Sequence, residues 1–141
     1  MIEKALEIIL KYHKGQTDRA GLPYVLHPIQ VMTFVDTETE KVVALLHDVV
    51  EDTDMTLDHV KEIFGDTVAE AVGLLTHKKG DSYTVYVEKL AHHPIARKVK
   101  MADLRDNLDV TRLEEVSGKD ARRMCKYLRA LRYLEKLDVQ G

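Results

Sequence analysis

Apolar residues recur every three or four positions along most of this chain, and nowhere do they alternate long enough to build a strand. That spacing puts them on one face of successive helices. Ile2, Ala5, Leu6, Ile9 and Leu10 predict a helix over residues 2–13. The stretch from His13 to Pro23 breaks the pattern with Gly15, Gly21 and Pro23 and reads as a loop. Pro28 suits a first helical turn, so His27 is expected at the N-cap of a second helix with Pro28 just inside. Thr37-Glu38-Thr39-Glu40 has the form of a capping box and predicts a helix to about Asp52. Thr56 opens a short helix that Gly65 stops. Thr67-Val68-Ala69-Glu70 is a second candidate box, for a helix to about His77. Ser82 caps a helix to His92, Pro94 starts one to Asp109, and Ser117 to Asp120 precede a long helix ending near Leu137. The expectation is an all-α chain, one domain over residues 1–141, folded as a bundle of about seven to eight helices.

Composition narrows the function classes. Cys125 is the single cysteine, so no internal disulfide can form; a reducing, cytoplasmic setting is expected, with Cys125 as a small core residue. The first residues are interrupted by Glu3, Lys4 and Glu7 and do not read as a signal peptide. No run approaches the ~18 apolar residues of a membrane span, so no membrane partner is expected. A net charge of −3 argues against nucleic acid as a partner. It leaves room for a small anionic substrate, because a bound cation can supply local positive charge.

The most informative segment is Val42 to Asp52. At about 100° per residue, Val42, Leu45, Leu46, Val49 and Val50 form one stripe, with His47, Asp48, Glu51 and Asp52 on the other side. A solvated helix face is the plain reading. Two features count against it: the patch contains no Lys or Arg, and its carboxylates crowd a helix C-terminus, where the macrodipole disfavours them. A cation would offset both costs. His27, at a helix start, and Asp103, with Asn107 one turn later, are the candidates to complete its shell. Spacing leaves their convergence open.

Three separated motifs resemble those of the HD-domain phosphohydrolases, specifically the hydrolase domain of RelA/SpoT-type (p)ppGpp enzymes and the stand-alone small alarmone hydrolases. The first is His13-Lys14-Gly15-Gln16 with Gly21 to Pro28, the second runs from Ala44 to Thr53, and the third is Val99 to Asp103 with Asn107. The match covers about residues 5 to 112. The resemblance implies an all-helical HD-domain bundle and one divalent ion, usually Mn2+, held by His27, His47, Asp48 and Asp103; the ligand types also accept Zn2+ or Fe2+. It further implies Glu51 and Asp52 as the catalytic acidic pair, Asn107 as a substrate contact, a nucleotide substrate, and hydrolysis of a 3′-pyrophosphate without synthetase activity.

Two positions depart from the family pattern. Asp18 stands where long family members often carry an arginine near the base, with Arg19 one residue later, and Asp106 replaces a histidine of the third motif. These departures motivate one alternative, a phosphatase of the same fold acting on another phosphorylated nucleotide. A second alternative, of a different class, is a non-catalytic nucleotide-binding module, against which the presence of both Glu51 and Asp52 argues. Tyr24 is a candidate to stack on a base or to pack beside Pro23; Lys14, Arg19, Lys100 and Arg105 are candidates to meet phosphate or to sit as solvated cations. His13 is expected to be exposed or capping, and His59, His77, His92 and His93 to lie on the surface. The basic stripe of Arg122, Lys126, Arg129, Arg132 and Lys136 has two readings. One is a polyanion-binding surface, such as one for RNA. The other, favoured because the chain is slightly acidic, is the outer face of an amphipathic helix with Met124, Tyr127, Leu128, Leu131 and Leu134 turned to the core. The oligomeric state is not set by the sequence.

Overall fold

The computed structural model describes residues 1–140. In chain order these form α1 (Ile2–Tyr12), α2 (Leu26–Thr33), α3 (Glu38–Leu46), α4 (Val49–Asp52), α5 (Leu57–Phe64), α6 (Asp66–Leu75), α7 (Tyr83–Ala91), α8 (Pro94–Asn107), a 3-10 turn (Val110–Arg112) and α9 (Gly118–Gln140). Among the described residues the sole β pairing is an isolated bridge between Thr17 and Pro23. The all-α expectation therefore holds.

Two interior helices organise the bundle. In α3, Val42 to Leu46 are buried without interruption, because neighbours cover the helix on every side: α1, α2, α6 and α8 all pack on it. The stripe expected on one face of this helix is thus apolar all round. The α8 helix packs on α2, α3, α6, α7 and α9, and it buries three charged side chains, Lys100, Asp103 and Asp106, among Val99, Met101, Ala102 and Leu104. Charge is costly there unless it is paired.

Several helix starts follow local chemistry. Thr37, Thr56 and Ser82 each accept a backbone N–H at 3.1 Å, from Glu40, His59 and Val85. Glu40 returns its carboxylate to the Thr37 N–H at 3.0 Å and completes the predicted box. The box expected at Thr67 does not form: α6 begins at Asp66, directly from Gly65, whose φ of 94° closes α5 and leaves no room for a separate cap.

The predicted helix from Glu38 to Asp52 is divided at His47 and Asp48. The His47 ring donates from Nδ1 to the Ala44 carbonyl at 2.6 Å. In a continuous helix the Asp48 N–H would take that oxygen. The backbone instead turns at Asp48, with φ −109° and ψ 0°, and restarts as the single turn α4. At the other predicted boundary, α2 begins at Leu26, so His27 is its second residue and Pro28 its third. Pro28 still costs no hydrogen bond, since first-turn N–H groups lack intrahelical partners.

Cys125 is exposed, contrary to the core placement expected of it. The buried face of α9 is narrow, formed by Ala130, Leu131 and Leu134, and Leu128 is left 43% exposed. No helix among the described residues is long and apolar enough to cross a membrane.

Candidate functional site

The helix break aims His47 at α8. His47 Nε2 lies 3.3 Å from Asp103 Oδ1 and 3.1 Å from Asp48 Oδ2. From α2, His27 Nε2 reaches Asp103 Oδ1 at 2.8 Å and Asp48 Oδ2 at 4.0 Å. Donor atoms of His27, His47 and Asp103 all lie within 4.8 Å of one another, and all three residues are buried. Asp48 stands beside this group, its Oδ2 also accepting the Tyr24 hydroxyl. Two imidazoles and a carboxylate, with a second carboxylate adjacent, form a borderline donor set suited to a divalent first-row cation. His47 Nε2 is buried with no hydrogen-bond partner. Its partner Nδ1 is committed to Ala44, so Nε2 is the atom left to bind an ion. The residues fit a metal.

The electrostatics are those of a tightly packed charge cluster. Burial pulls the His27 ring down, but hydrogen bonds to Asp103 and Asp106 outweigh it and raise the ring to about 8. For His47, burial is likewise overcome by Asp48 and Asp103, which hold it well above the usual histidine range. Burial pushes Asp103 up, yet Lys100 and the two imidazoles hold it well below the usual carboxylate range. Asp48, opposed by burial in the same way, is drawn down to about 2 chiefly by His47.

Of this group, His27, Asp48 and Asp103 line a cleft of about 620 Å³, with His47 buried behind them. Glu51 and Asp52, at the end of α4, line the same cleft. Glu51 Oε1 accepts the His77 backbone N–H at 2.6 Å. Asp52 is pushed up to about 6, first by burial and then by the charges of Asp48 and Glu51. Its backbone carbonyl accepts Gln16 Nε2 at 3.0 Å, and Gln16 Oε1 lies 2.8 Å from His13 Nδ1, so the first motif braces the acidic pair.

The remaining candidates distribute around the cleft. Lys100 is buried, not solvated, with Nζ 2.8 Å from Asp103 Oδ2 and over the ring of Tyr86. Asn107 Nδ2 donates to Asp103 Oδ1 at 3.0 Å. Arg19 sits on the rim, 63% exposed, 4.0 Å from Asp120 at the start of α9. Tyr24 lines the cleft, but its hydroxyl is engaged by Asp48 and its ring leans between His13 and His27. Arg105 is turned away and pairs with Glu135.

Other residues also contribute to the cleft and to the histidine cluster. His13 caps the C-terminus of α1, one of the two roles expected of it, but is buried rather than exposed. His77, expected on the surface, lines the cleft and stacks on Tyr86. The α9 helix is more than an outer face: Arg123, Lys126 and Tyr127 line the same cleft. Asp106, buried, lies with Oδ2 2.6 Å from His27 Nδ1. Its position three residues after Asp103, on the same face, was the available signal.

The profile of the family described as HD domain matches residues 5–84. A guanosine-3′,5′-bis(diphosphate) 3′-pyrophosphohydrolase of Aquifex aeolicus is 32% identical over 119 residues, 76% of this chain and 17% of that protein. The bifunctional (p)ppGpp synthase/hydrolase SpoT of Escherichia coli K12 is 38% identical over 99 residues, 67% of this chain and 14% of that protein. The chain thus spans less than a fifth of the length of these relatives. A solved structure, described as a metazoan ortholog of SpoT that hydrolyzes ppGpp, superposes with a TM-score of 0.73 at 27% identity over 99% of this chain and 94% of that one.

Proposed function

The chain belongs to the HD-domain family, and from that premise we propose that it is a metal-dependent hydrolase removing the 3′-pyrophosphate from guanosine alarmones, ppGpp and pppGpp, in the cytoplasm. The observation that carries this reading is the convergence of His27, His47 and Asp103 at a cleft that His27 and Asp103 line together with Glu51 and Asp52. The names and descriptions of its relatives support the substrate. No synthesis of alarmone is expected from these residues.

An HD domain implies a divalent cation, and we take it as Mn2+, held by His27, His47, Asp48 and Asp103. When bound, such an ion acidifies water and polarises a phosphoryl oxygen. The chain's own residues supply the rest. Glu51 and Asp52 orient the attacking water and accept its proton, Asp52 being pushed up to a value near the working pH. Lys100, Arg19, Arg123 and Lys126, which line the cleft, balance phosphate charge. Asn107 and Tyr24 hold the substrate beside the histidines. Little covalent chemistry is demanded of the protein, because phosphoryl transfer depends on positioning and charge.

The test is incubation of the protein with ppGpp and Mn2+. GDP and pyrophosphate are expected, with turnover abolished by Asp48→Ala. Release of phosphate, or no GDP, would overturn the alarmone assignment.

One observation favours a second reading, a phosphatase of this fold on another phosphorylated nucleotide. Asp18 Oδ1 accepts the N–H groups of Ala20 at 2.9 Å and Leu22 at 3.0 Å, so this carboxylate shapes its own loop. A panel of phosphorylated nucleosides compared by kcat/KM separates the two. Tight binding of metal and ppGpp with no turnover would support the non-catalytic module, against which the cleft position of both Glu51 and Asp52 argues.

A further inference from the structure

Asp106 departs from the third motif of the resembling family, yet it is among the most enclosed charged groups of the chain, 5% exposed. Its Oδ2 lies 2.6 Å from His27 Nδ1 and 3.4 Å from an Arg112 guanidinium nitrogen. The same Arg112 nitrogen donates to the Asp106 backbone carbonyl at 3.0 Å. Arg112 comes from the 3-10 turn after α8 and lines the cleft. The Asp106 carboxylate is therefore held from both sides, by an imidazole within and a guanidinium without.

The other nitrogen of His27 matters for the site. A neutral imidazole carries one ring proton, and a carboxylate facing Nδ1 keeps it there. Nε2 is then the lone-pair donor, and it points to Asp103 Oδ1 at 2.8 Å, inside the group with His47. His47 is fixed in the same way by a backbone acceptor, the Ala44 carbonyl on its Nδ1. Both imidazoles thus present Nε2, each locked from behind.

We propose that Asp106 is the positioning residue of the metal centre, fixing the tautomer and ring orientation of His27, and that Arg112 clamps Asp106 in place. The inference rests on the metal-centre reading above. Outer partners of this kind orient a ligating histidine and raise its basicity, and their loss typically costs about 10–100-fold in metal affinity. A histidine at this position, as in the family pattern, would not supply an anionic acceptor.

The experiment is titration of Mn2+ into the metal-free protein by calorimetry, with fold monitored by circular dichroism. Asp106→Leu is expected to weaken Mn2+ binding about 10–100-fold. Asp106→Asn keeps an acceptor for the Nδ1 proton and is expected to fall between Asp106→Leu and the unsubstituted protein. Arg112→Met, which loosens the clamp alone, is expected to weaken binding by less than Asp106→Leu. Asp138→Ala removes the partner of Arg97 and Lys98 at the other end of α8 and serves as a control for loss of stability. Its Mn2+ affinity is expected to stay unchanged. If Asp106→Leu and Asp138→Ala alter Mn2+ affinity equally, or Asp106→Leu leaves it unaltered, Asp106 has no positioning role. If the unsubstituted protein binds no Mn2+, the metal-centre reading falls and takes this inference with it.

Discussion

Glu51 Oε1 accepts the backbone N–H of His77 at 2.6 Å, tying the single turn α4 to the segment between α6 and α7. One carboxylate oxygen is thereby fixed and the other is left for the cleft. The contact separates two roles of the side chain. Glu51→Gln retains an oxygen for the His77 N–H but cannot take a proton. It is expected to lower kcat about 10²–10⁴-fold, the usual weight of a general base, while the melting temperature stays where it was. Glu51→Ala also loses the tie and is expected to cost a further ~1–2 kcal/mol in urea unfolding. Full activity of Glu51→Gln would remove Glu51 from the proton transfer.

Asp52 carries a different signature. Burial first, then Asp48 and Glu51, push its carboxyl up to about 6, against 3.8 ordinarily. The unfolded chain ionises this group first, so the folded state is penalised as pH rises from about 4 to 6 and beyond. About two units would be ~3 kcal/mol if fully expressed, and solvent screening of this half-exposed group leaves ~1 kcal/mol. Metal-free Asp52→Asn is therefore expected to be more stable than its parent at pH 7 and equal to it below about pH 4. Unfolding curves in EDTA at both pH values check this, and a less stable variant at pH 7 would contradict it.

What could be read from the sequence was what local chemistry decides. Thr37, Thr56 and Ser82 cap helices because a hydroxyl reaches an N–H three residues on, whatever surrounds it. The four residues expected to hold a metal, His27, His47, Asp48 and Asp103, come from three separate segments, and it took motif order, not periodicity, to suggest they meet. Features that depend on distant packing were not legible. The break at His47 goes with a buried ring turned back to the Ala44 carbonyl, and Lys100 is buried against Asp103 and two tyrosine rings. Asp106 read as a departure from a pattern because its partner, His27, lies 79 residues earlier. Cys125 was misplaced for the opposite reason: α9 meets the bundle along a stripe too narrow to cover it.

Metal binding should be linked to protons. Without an ion, His27 is raised to about 8 by Asp103 and Asp106 against the pull of burial, and His47 is held well above its usual value by Asp48 and Asp103. Both rings are therefore charged at pH 7. The stability His27 gains from its carboxylates is complete below about 6.5 and is lost as pH rises through about 8. An ion needs both rings neutral, so about two protons should leave per Mn2+ bound at pH 7, and affinity should climb from pH 6 to 9. Calorimetry in buffers of different ionisation enthalpy counts them. Binding with no proton release would mean that the imidazoles are already neutral or are not ligands.

Lys100 offers the sharpest separation between the needs of the fold, the metal and the substrate. Its Nζ lies 2.8 Å from Asp103 Oδ2, and the side chain is 10% exposed. Breaking a buried ion pair from one side costs ~3–5 kcal/mol when the remaining charge is uncompensated. In the metal-free protein His27 and His47 still face Asp103, so Lys100→Met, which keeps the apolar stem, is expected to cost a smaller ~1–3 kcal/mol. A divalent ion would return the lost positive charge, and Lys100 would no longer repel it. Mn2+ is therefore expected to bind Lys100→Met more tightly than the parent, by up to about tenfold, and to restore part of its stability. Substrate should respond in the opposite sense, with KM rising as the cleft loses a cation. Should Mn2+ affinity fall together with stability, Lys100 would be acting to shape the metal site rather than to balance its charge.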